Sequence, residues 1–330
     1  MKLSKLQHEI QIARGRTDAF LLPTPLIPSD CYSELTGANV MLKYENLQRS
    51  GSFKFRGVMN KCLAANERTD EFGFVAASTG NHGKALALAG EELGLEVIVF
   101  APENAAEVKL QDIRSLGAEV RIFGQDCVEA ELEARRFSEQ NSVVYVSPYN
   151  DPLVIAGQGT IGEEIIGQPM PFEQLKSVDA VIGSLGGGGL ICGVGASLKR
   201  AFPKCEVVAC SPENSNVMIQ SLEQGKILNL PSKPTLSEGT AGGVEQDSVT
   251  FPLCQKLLTD TISVTEDEII QELRRFYELA PDPIEGAAAT ALAGLVRNKE
   301  RWVGKNVIVI ICGGNISEQT LLELGCGVEL

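Results

Sequence analysis

Along this chain, short β-branched runs alternate with longer stretches in which apolar residues return every three or four positions. Between Phe72 and Ser147 four runs read as strands: GFVAAS (73–78), LEVIVF (95–100), AEVRIF (118–123) and SVVYVS (142–147). The spacing over 81–94, 104–117 and 126–140 predicts helices, the first two closing on Gly94 and Gly117. Apolar strands joined by helical crossovers of this length predict a parallel sheet covered on both faces. A second series follows, with strands in 178–184, 205–211 and 305–315, a helix over 190–202 and a helical stretch ending near Lys226. Residues 227–250 carry many Pro, Ser, Thr and Gly and read as a long loop. The fold class expected is α/β with two parallel-sheet units and the site between them, because ligands of open α/β sheets sit beyond the carboxyl ends of strands.

Charge and cysteine usage narrow the partners. Lysine and arginine number 29 against 43 aspartates and glutamates, a formal net charge of −14. That balance argues against nucleic acid or an anionic membrane as partner, since both require basic surface. A small anion is still allowed, because a few backbone N–H groups can hold it. Two histidines, His8 and His82, leave little room for a zinc site. Nine cysteines without a C-x-x-C pair read as reduced thiols. The first residues form no signal peptide, and no apolar run is long enough to span a bilayer. A soluble, cytoplasmic protein is expected.

Three glycine-containing turns follow strands directly. In Ser78-Thr79-Gly80-Asn81-His82-Gly83, Ser78 or Thr79 can cap the next helix while its free N–H groups face a carboxylate or phosphate. The same segment also reads as an ordinary β–α turn, with a structural histidine. Gly186-Gly187-Gly188-Gly189 is costly in conformational entropy. Its bare backbone can wrap a phosphate at the positive end of a helix, though it matches neither a dinucleotide fingerprint nor a Walker A loop. Cys312-Gly313-Gly314-Asn315 places a thiol at a sheet edge, where a cysteine also serves simply as a small buried hydrophobe. Lys54, between Phe53 and Phe55, has an apolar setting that lowers an amine's pKa and favours a nucleophile, although a lysine in such a sequence is commonly a surface residue.

In order, S-F-K-F-R-G, S-T-G-N-H-G, A-G-Q-G-T (156–160), G-G-G-G and C-G-G-N resemble the serine/threonine dehydratase and serine racemase family, the fold type II pyridoxal-phosphate enzymes. The resemblance runs from Thr24-Pro25-Leu26 to Asn315. It implies pyridoxal 5'-phosphate as cofactor, held by Lys54 through its aldehyde. Phe53 would pack on the pyridine ring, Asn81 would bond the 3-hydroxyl, and Gly186, Gly187, Gly188, Gly189 and Leu190 would hold the phosphate. Cys312 would face the pyridine nitrogen, and Ser78, Thr79, Asn81 and His82 would grip the substrate carboxylate. Lys54 is then the base for the α-proton. A neutral thiol at the pyridine nitrogen favours prompt loss of a β-hydroxyl. The activity implied is β-elimination from a 3-hydroxy amino acid, L-threonine or L-serine by default, giving a 2-oxo acid and ammonia.

The resemblance further implies a large cofactor-binding domain (1–72 and 148–330), a small mobile domain (73–147) that closes over substrate, and a homodimer. Thr79 stands where racemases of the family have serine and many dehydratases alanine, so racemisation stays open beside elimination. Dehydration of 3-hydroxyaspartate, phenylserine or a hydroxylated diamino acid, and a non-catalytic cofactor-binding protein, are further readings. Ser211, Ser215 and Val217 occupy the positions where metal-activated members carry ligands, and no divalent metal site is expected. Tyr149 is expected at the substrate end, and Asp282-Pro283 stands where the family has Glu-Pro near the ring nitrogen. The chain runs only briefly past Cys312, so no amino-acid-sensing domain, and no isoleucine feedback through one, is expected.

Overall fold

The computed structural model describes residues 1–67, 73–168, 177–280 and 282–326. The expected domain boundary at Phe72 lies outside them. In chain order, helix α1 (Leu3–Thr17), strand β1 (Leu26–Pro28), α2 (Asp30–Thr36), β2 (Asn39–Tyr44) and α3 (Lys54–Asn66) come first. Then β3 (Gly73–Ala77), α4 (Asn81–Leu93), β4 (Glu96–Ala101), α5 (Glu107–Ser115), β5 (Glu119–Ile122), α6 (Cys127–Gln140) and β6 (Val144–Tyr145) alternate as the pattern predicts. The rest comprises α7 (Pro152–Gly167), β7 (Ala180–Ser184), α8 (Gly189–Ala201), β8 (Glu206–Pro212), α9 (Val217–Gln224), α10 (Thr250–Leu257) and β9 (Asp260–Val264). It closes with α11 (Glu266–Leu279), α12 (Gly286–Arg297), β10 (Asn306–Ile311) and α13 (Glu318–Glu323).

These strands form two sheets. A four-stranded parallel sheet runs β5-β4-β3-β6, and a six-stranded one runs β1-β2-β10-β7-β8-β9, parallel except for β1. Gly94 caps α4 with φ 65°, and Gly117, at φ 82°, follows α5, so both predicted stops fall where a left-handed residue is needed. The last predicted strand of the first series shrinks to two residues, because β6 pairs with β3 only at Val144 and Tyr145. The 227–250 loop contains one short turn of 3₁₀ helix, Glu238–Thr240.

The inner strands of the larger sheet are buried on both faces, as in Val307, Ile308, Val309, Ile310 and Ile311 of β10. Helix α3 buries Phe55, Val58, Met59 and Cys62 in one core with Phe74, Ala85 and Leu86 of the smaller sheet's unit. On its other side Arg56, fully buried, bonds Glu45 Oε2 and Glu164 Oε1 at 2.6 Å each. Lys43 Nζ meets Glu164 Oε2 at 2.7 Å, and Thr24 donates to Glu45 Oε1 at 2.6 Å. Charges taken from water at such cost persist only when each is paired, and this set pins β2, α3 and α7 together. It thereby fixes the axis of the helix on which Lys54 begins.

Candidate active site

The three glycine turns and Lys54 converge at the carboxyl ends of the strands. The segment 50–53 zips onto the turn after β10: Phe53 N–H donates to Cys312 O at 3.0 Å, Gly314 N–H to Gly51 O at 2.9 Å, and Asn315 Nδ2 to Ser50 O at 3.0 Å. Ser52 and Gly313 make an antiparallel bridge. Phe53 is the N-cap residue of α3, so Lys54 leaves the helix at its first position, facing the sheet edge.

Lys54 is half-buried, its ammonium donating to Pro148 O at 2.9 Å and lying 5.1 Å from the Phe53 ring. Desolvation lowers its pKa to about 8, opposed by the nearby Cys312 and Glu285. Cys312 is buried, accepts a 3.4 Å hydrogen bond from the Ser184 hydroxyl, and has its pKa pushed well up by burial. It is a neutral thiol. Both sequence readings of this cysteine hold at once, since it is a small buried group and it lies beside the lysine.

Asn81, the first residue of α4, is clamped from two sides. Its Nδ2 donates to Glu285 Oε1 and Oε2 at 2.9 and 2.8 Å, and its Oδ1 accepts from Asn315 Nδ2 at 2.6 Å. Glu285 is the residue that sequence reasoning missed. Asp282 was the acid singled out, yet it is exposed; Glu285, the N-cap residue of α12, is buried against Asn81. Burial raises its pKa to about 7, against the lowering effect of the Asn81 bond and Lys54. The one available signal was a lone glutamate opening the apolar stretch GAAATALAGL (286–295).

The expected cap of α4 is corrected. Gly80 is the N-cap residue and no side chain caps the helix, since the Ser78 hydroxyl accepts from Gly80 N–H at 3.3 Å instead. The turn is too tight to reach further: a Cβ on Gly83 would overlap the Ser78 carbonyl. Thr79 is half-buried and its hydroxyl makes no hydrogen bond among the described residues. Nor do the N–H groups of Asn81, His82 and Gly83 find partners there, so the helix start presents free donors. His82 is buried, with Nε2 bonded to Val146 O at 2.8 Å and Nδ1 unpartnered. Burial, helped by Lys54, lowers its pKa to about 3, so it is neutral.

The second turn carries a longer row of free donors. From Gly186 to Ile191 no N–H has a partner among the described residues; the first bond of α8 is Cys192 N–H to Gly188 O, 3.0 Å. Gly188 sits at φ 86°, a conformation that favours glycine. Backbone donors in buried or half-buried residues are rare without partners unless an anion takes them. These residues fit a phosphate, as the adjacent lysine fits an aldehyde. Tyr149 is corrected too: its ring packs on Gly187 and its hydroxyl accepts from Glu245 N–H at 2.9 Å, so it supports the glycine loop. Ser211 donates to Leu185 O at 2.7 Å, Ser215 accepts from Gly242 N–H at 3.1 Å, and Val217 begins α9. No group of three or more metal-ligating side chains occurs among the described residues.

Two facing α/β units built on largely parallel sheets, with a half-buried, desolvated amine and a row of free N–H groups at their strand ends, define a fold type II pyridoxal-phosphate enzyme. The sequence matches the family model described as pyridoxal-phosphate dependent enzyme over residues 18–313, and the chain belongs to that family. It is 41% identical over 293 residues to an L-threonine ammonia-lyase of Thermotoga maritima, covering 89% of this chain and 71% of that protein. A catabolic L-threonine dehydratase of Staphylococcus aureus is 34% identical over 312 residues, 93% of this chain and 88% of the relative. Among solved structures, maize serine racemase superposes with a TM-score of 0.88 at 29% identity, covering 96% of this chain and 95% of that one. The processed form of threonine deaminase isoform 2 from Solanum lycopersicum gives 0.89 at 30%, covering 98% and 92%. This protein is thus an enzyme of the ammonia-lyase kind with pyridoxal phosphate as cofactor. No helix among the described residues is long and apolar enough to cross a membrane.

Proposed function

We propose that the protein removes water from a 3-hydroxy amino acid, L-threonine or L-serine, and releases a 2-oxo acid and ammonia. The observation that carries this reading is the neutral Cys312 thiol, hydrogen-bonded by the Ser184 hydroxyl, at the end of β10. Lys54 would hold the cofactor covalently, Gly186, Gly187, Gly188, Gly189 and Leu190 its phosphate, Asn81 its 3-hydroxyl, Cys312 its ring nitrogen, and Phe53 its ring face. When bound, the cofactor supplies an electron sink for charge developing at the substrate's α-carbon. A neutral thiol at the ring nitrogen would suit loss of a β-hydroxyl as the α-proton leaves.

The chain's own groups do the rest. The N–H groups of Asn81, His82 and Gly83, with Ser78 and Thr79, bind the substrate carboxylate at the start of α4. This orients the α-proton toward Lys54, whose amine, near pKa 8, takes it. Glu285 holds the Asn81 amide in one orientation. The unit 73–147 closes on 1–72 and 148–330 and excludes water. Like the small-molecule substrate, a homodimeric state and a cytoplasmic location belong to this reading, and sedimentation of the purified protein checks the first of these two.

A second activity, racemisation, is favoured by one observation: the free Thr79 hydroxyl in the carboxylate turn. Incubating purified enzyme separately with L-serine, L-threonine and L-threo-3-hydroxyaspartate, and assaying 2-oxo acid and D-amino acid in each, tests both. Oxo acid from serine or threonine is expected; its absence with all three substrates refutes the proposal, and D-serine lost in Thr79→Ala marks the second activity.

A further inference from the structure

Neighbours set the shape of the glycine loop. A Cβ on Gly187 would fall within the Tyr149 ring, one on Gly189 would lie 3.2 Å from Tyr149 Cα and Cβ, and one on Gly186 would lie 2.9 Å from the Thr240 backbone. Tyr149 therefore occupies the space that side chains would need at two of the four loop positions. Close packing of this kind transmits small displacements, because a filled interior has few soft directions.

The tyrosine is itself tied. Its hydroxyl accepts from Glu245 N–H at 2.9 Å, and Glu245 Oε2 accepts from Asn150 Nδ2 at 2.9 Å. Asn150 Oδ1 accepts from Val249 N–H at 2.8 Å, and the next residue, Thr250, donates its hydroxyl to Gly187 O at 2.6 Å. The bonds thus return to the loop where they started. One further bond joins this ring to the other unit: Arg135 Nη2, on α6, meets the same Glu245 Oε2 at 2.7 Å. Arg135 also lies over the Tyr145 ring and pairs with Glu131, so its position follows that of α6. Glu245 Oε1 is buried without a partner, which leaves the carboxylate anchored through one oxygen.

We propose that Tyr149 and Glu245 are positioning residues for the phosphate loop, and that Arg135 couples the docking of α6 to that loop's grip on the cofactor. The inference rests on the reading of Gly186–Gly189 as the phosphate site. Tyr149 touches the loop and not the reacting atoms, so its effect is on how the loop's N–H groups are aimed. Movement of the 73–147 unit toward substrate then tightens the cofactor's hold, and withdrawal loosens it.

The test uses full-length protein stripped of cofactor and titrated with pyridoxal phosphate and with pyridoxal, which lacks the phosphate. Tyr149→Phe keeps the ring and removes only the hydroxyl tether; Arg135→Ala removes the tie from α6. Arg136→Ala, the neighbour paired with Glu133, is the control. Each of the first two is expected to weaken pyridoxal phosphate binding by about three- to tenfold, the scale of one lost hydrogen bond. Pyridoxal affinity and the apoprotein melting temperature should stay unchanged, and the control should match wild type. Equal weakening of both ligands, no weakening in either variant, or a weakening in the control as large as in Arg135→Ala overturns the coupling. If wild type binds pyridoxal as tightly as pyridoxal phosphate, the phosphate-loop reading fails, and the coupling with it.

Discussion

A lysine amine in water is almost wholly protonated at neutral pH, whereas burial brings Lys54 to about 8. Loading of the cofactor requires the neutral amine, so its rate in apoprotein should rise as pH climbs through about 8. The Glu285 carboxylate favours the ammonium form. Glu285→Gln should therefore move that inflection to lower pH in stopped-flow loading traces, and a shift upward would contradict the assignment. Lys54→Ala should lose the borohydride-trapped adduct and reduce 2-oxo acid release by at least about 10²- to 10⁴-fold, the range for a positioned base. His82 has a folded pKa depressed to about 3 against 6.5 unfolded, so its contribution is complete above pH 6.5 and is lost as pH falls toward 3. The unfolding free energy from urea titrations should fall by up to about 1.4 kcal/mol per pH unit across that window, and His82→Asn should flatten the slope. At this scale Lys54, Asn81 and the glycines were legible because each sits in a local turn with its own signature. Glu285 was not, since its partner Asn81 lies 204 residues away and only folding makes it buried.

Elements carry the next level of constraint. Strand and helix alternation was readable because the buried strands are continuous apolar runs, and Gly94 and Gly117 mark real stops. Misjudged features were those set by tertiary contact: the cap of α4, the shortness of β6, and the direction of Tyr149. The ion cluster behind Lys54 belongs here as well. Removing one partner of a fully buried pair leaves an uncompensated charge, so Glu45→Gln should cost about 3–5 kcal/mol in urea unfolding of the apoprotein. Were that variant as stable as wild type, the cluster would not be what holds α3 in place. Gly83→Ala should displace the 78–83 turn, because its methyl would meet the Ser78 carbonyl. The expected signature is a raised KM for the amino acid, measured at saturating cofactor.

For the molecule as a whole, several bonds cross between the two units: Asn81 with Glu285, Lys84 with Asn315 at 3.1 Å, Lys109 with Glu238 at 2.7 Å, and Arg135 with Glu245. The last three involve partly or largely exposed charges or amides, each worth little alone. The proposed closure of the 73–147 unit is compatible with a contact surface held largely by such ties. No periodicity could have revealed these pairs, because each joins residues far apart in sequence. The sheet order is of the same kind: seven apolar runs were visible as strands, three of them (β7, β8 and β10) in the larger sheet, but their neighbours in space were not, and β1, β2 and β9 went unread.

One such neighbour relation governs how the chain is made. Strand β2 hydrogen-bonds to β10 in parallel from Asn39 and Asn306 onward, a separation of 267 residues. At ribosomal speeds of about 5–20 residues per second, the early strand waits on the order of ten seconds to a minute for its partner to be synthesised. The strands from Gly73 to Tyr145 all emerge within that interval, so the smaller sheet can be assembled before the larger one closes. An interrupted nascent polypeptide would display Val40, Met41 and Leu42 as an unpaired apolar edge, a template for aggregation that only the final strand covers.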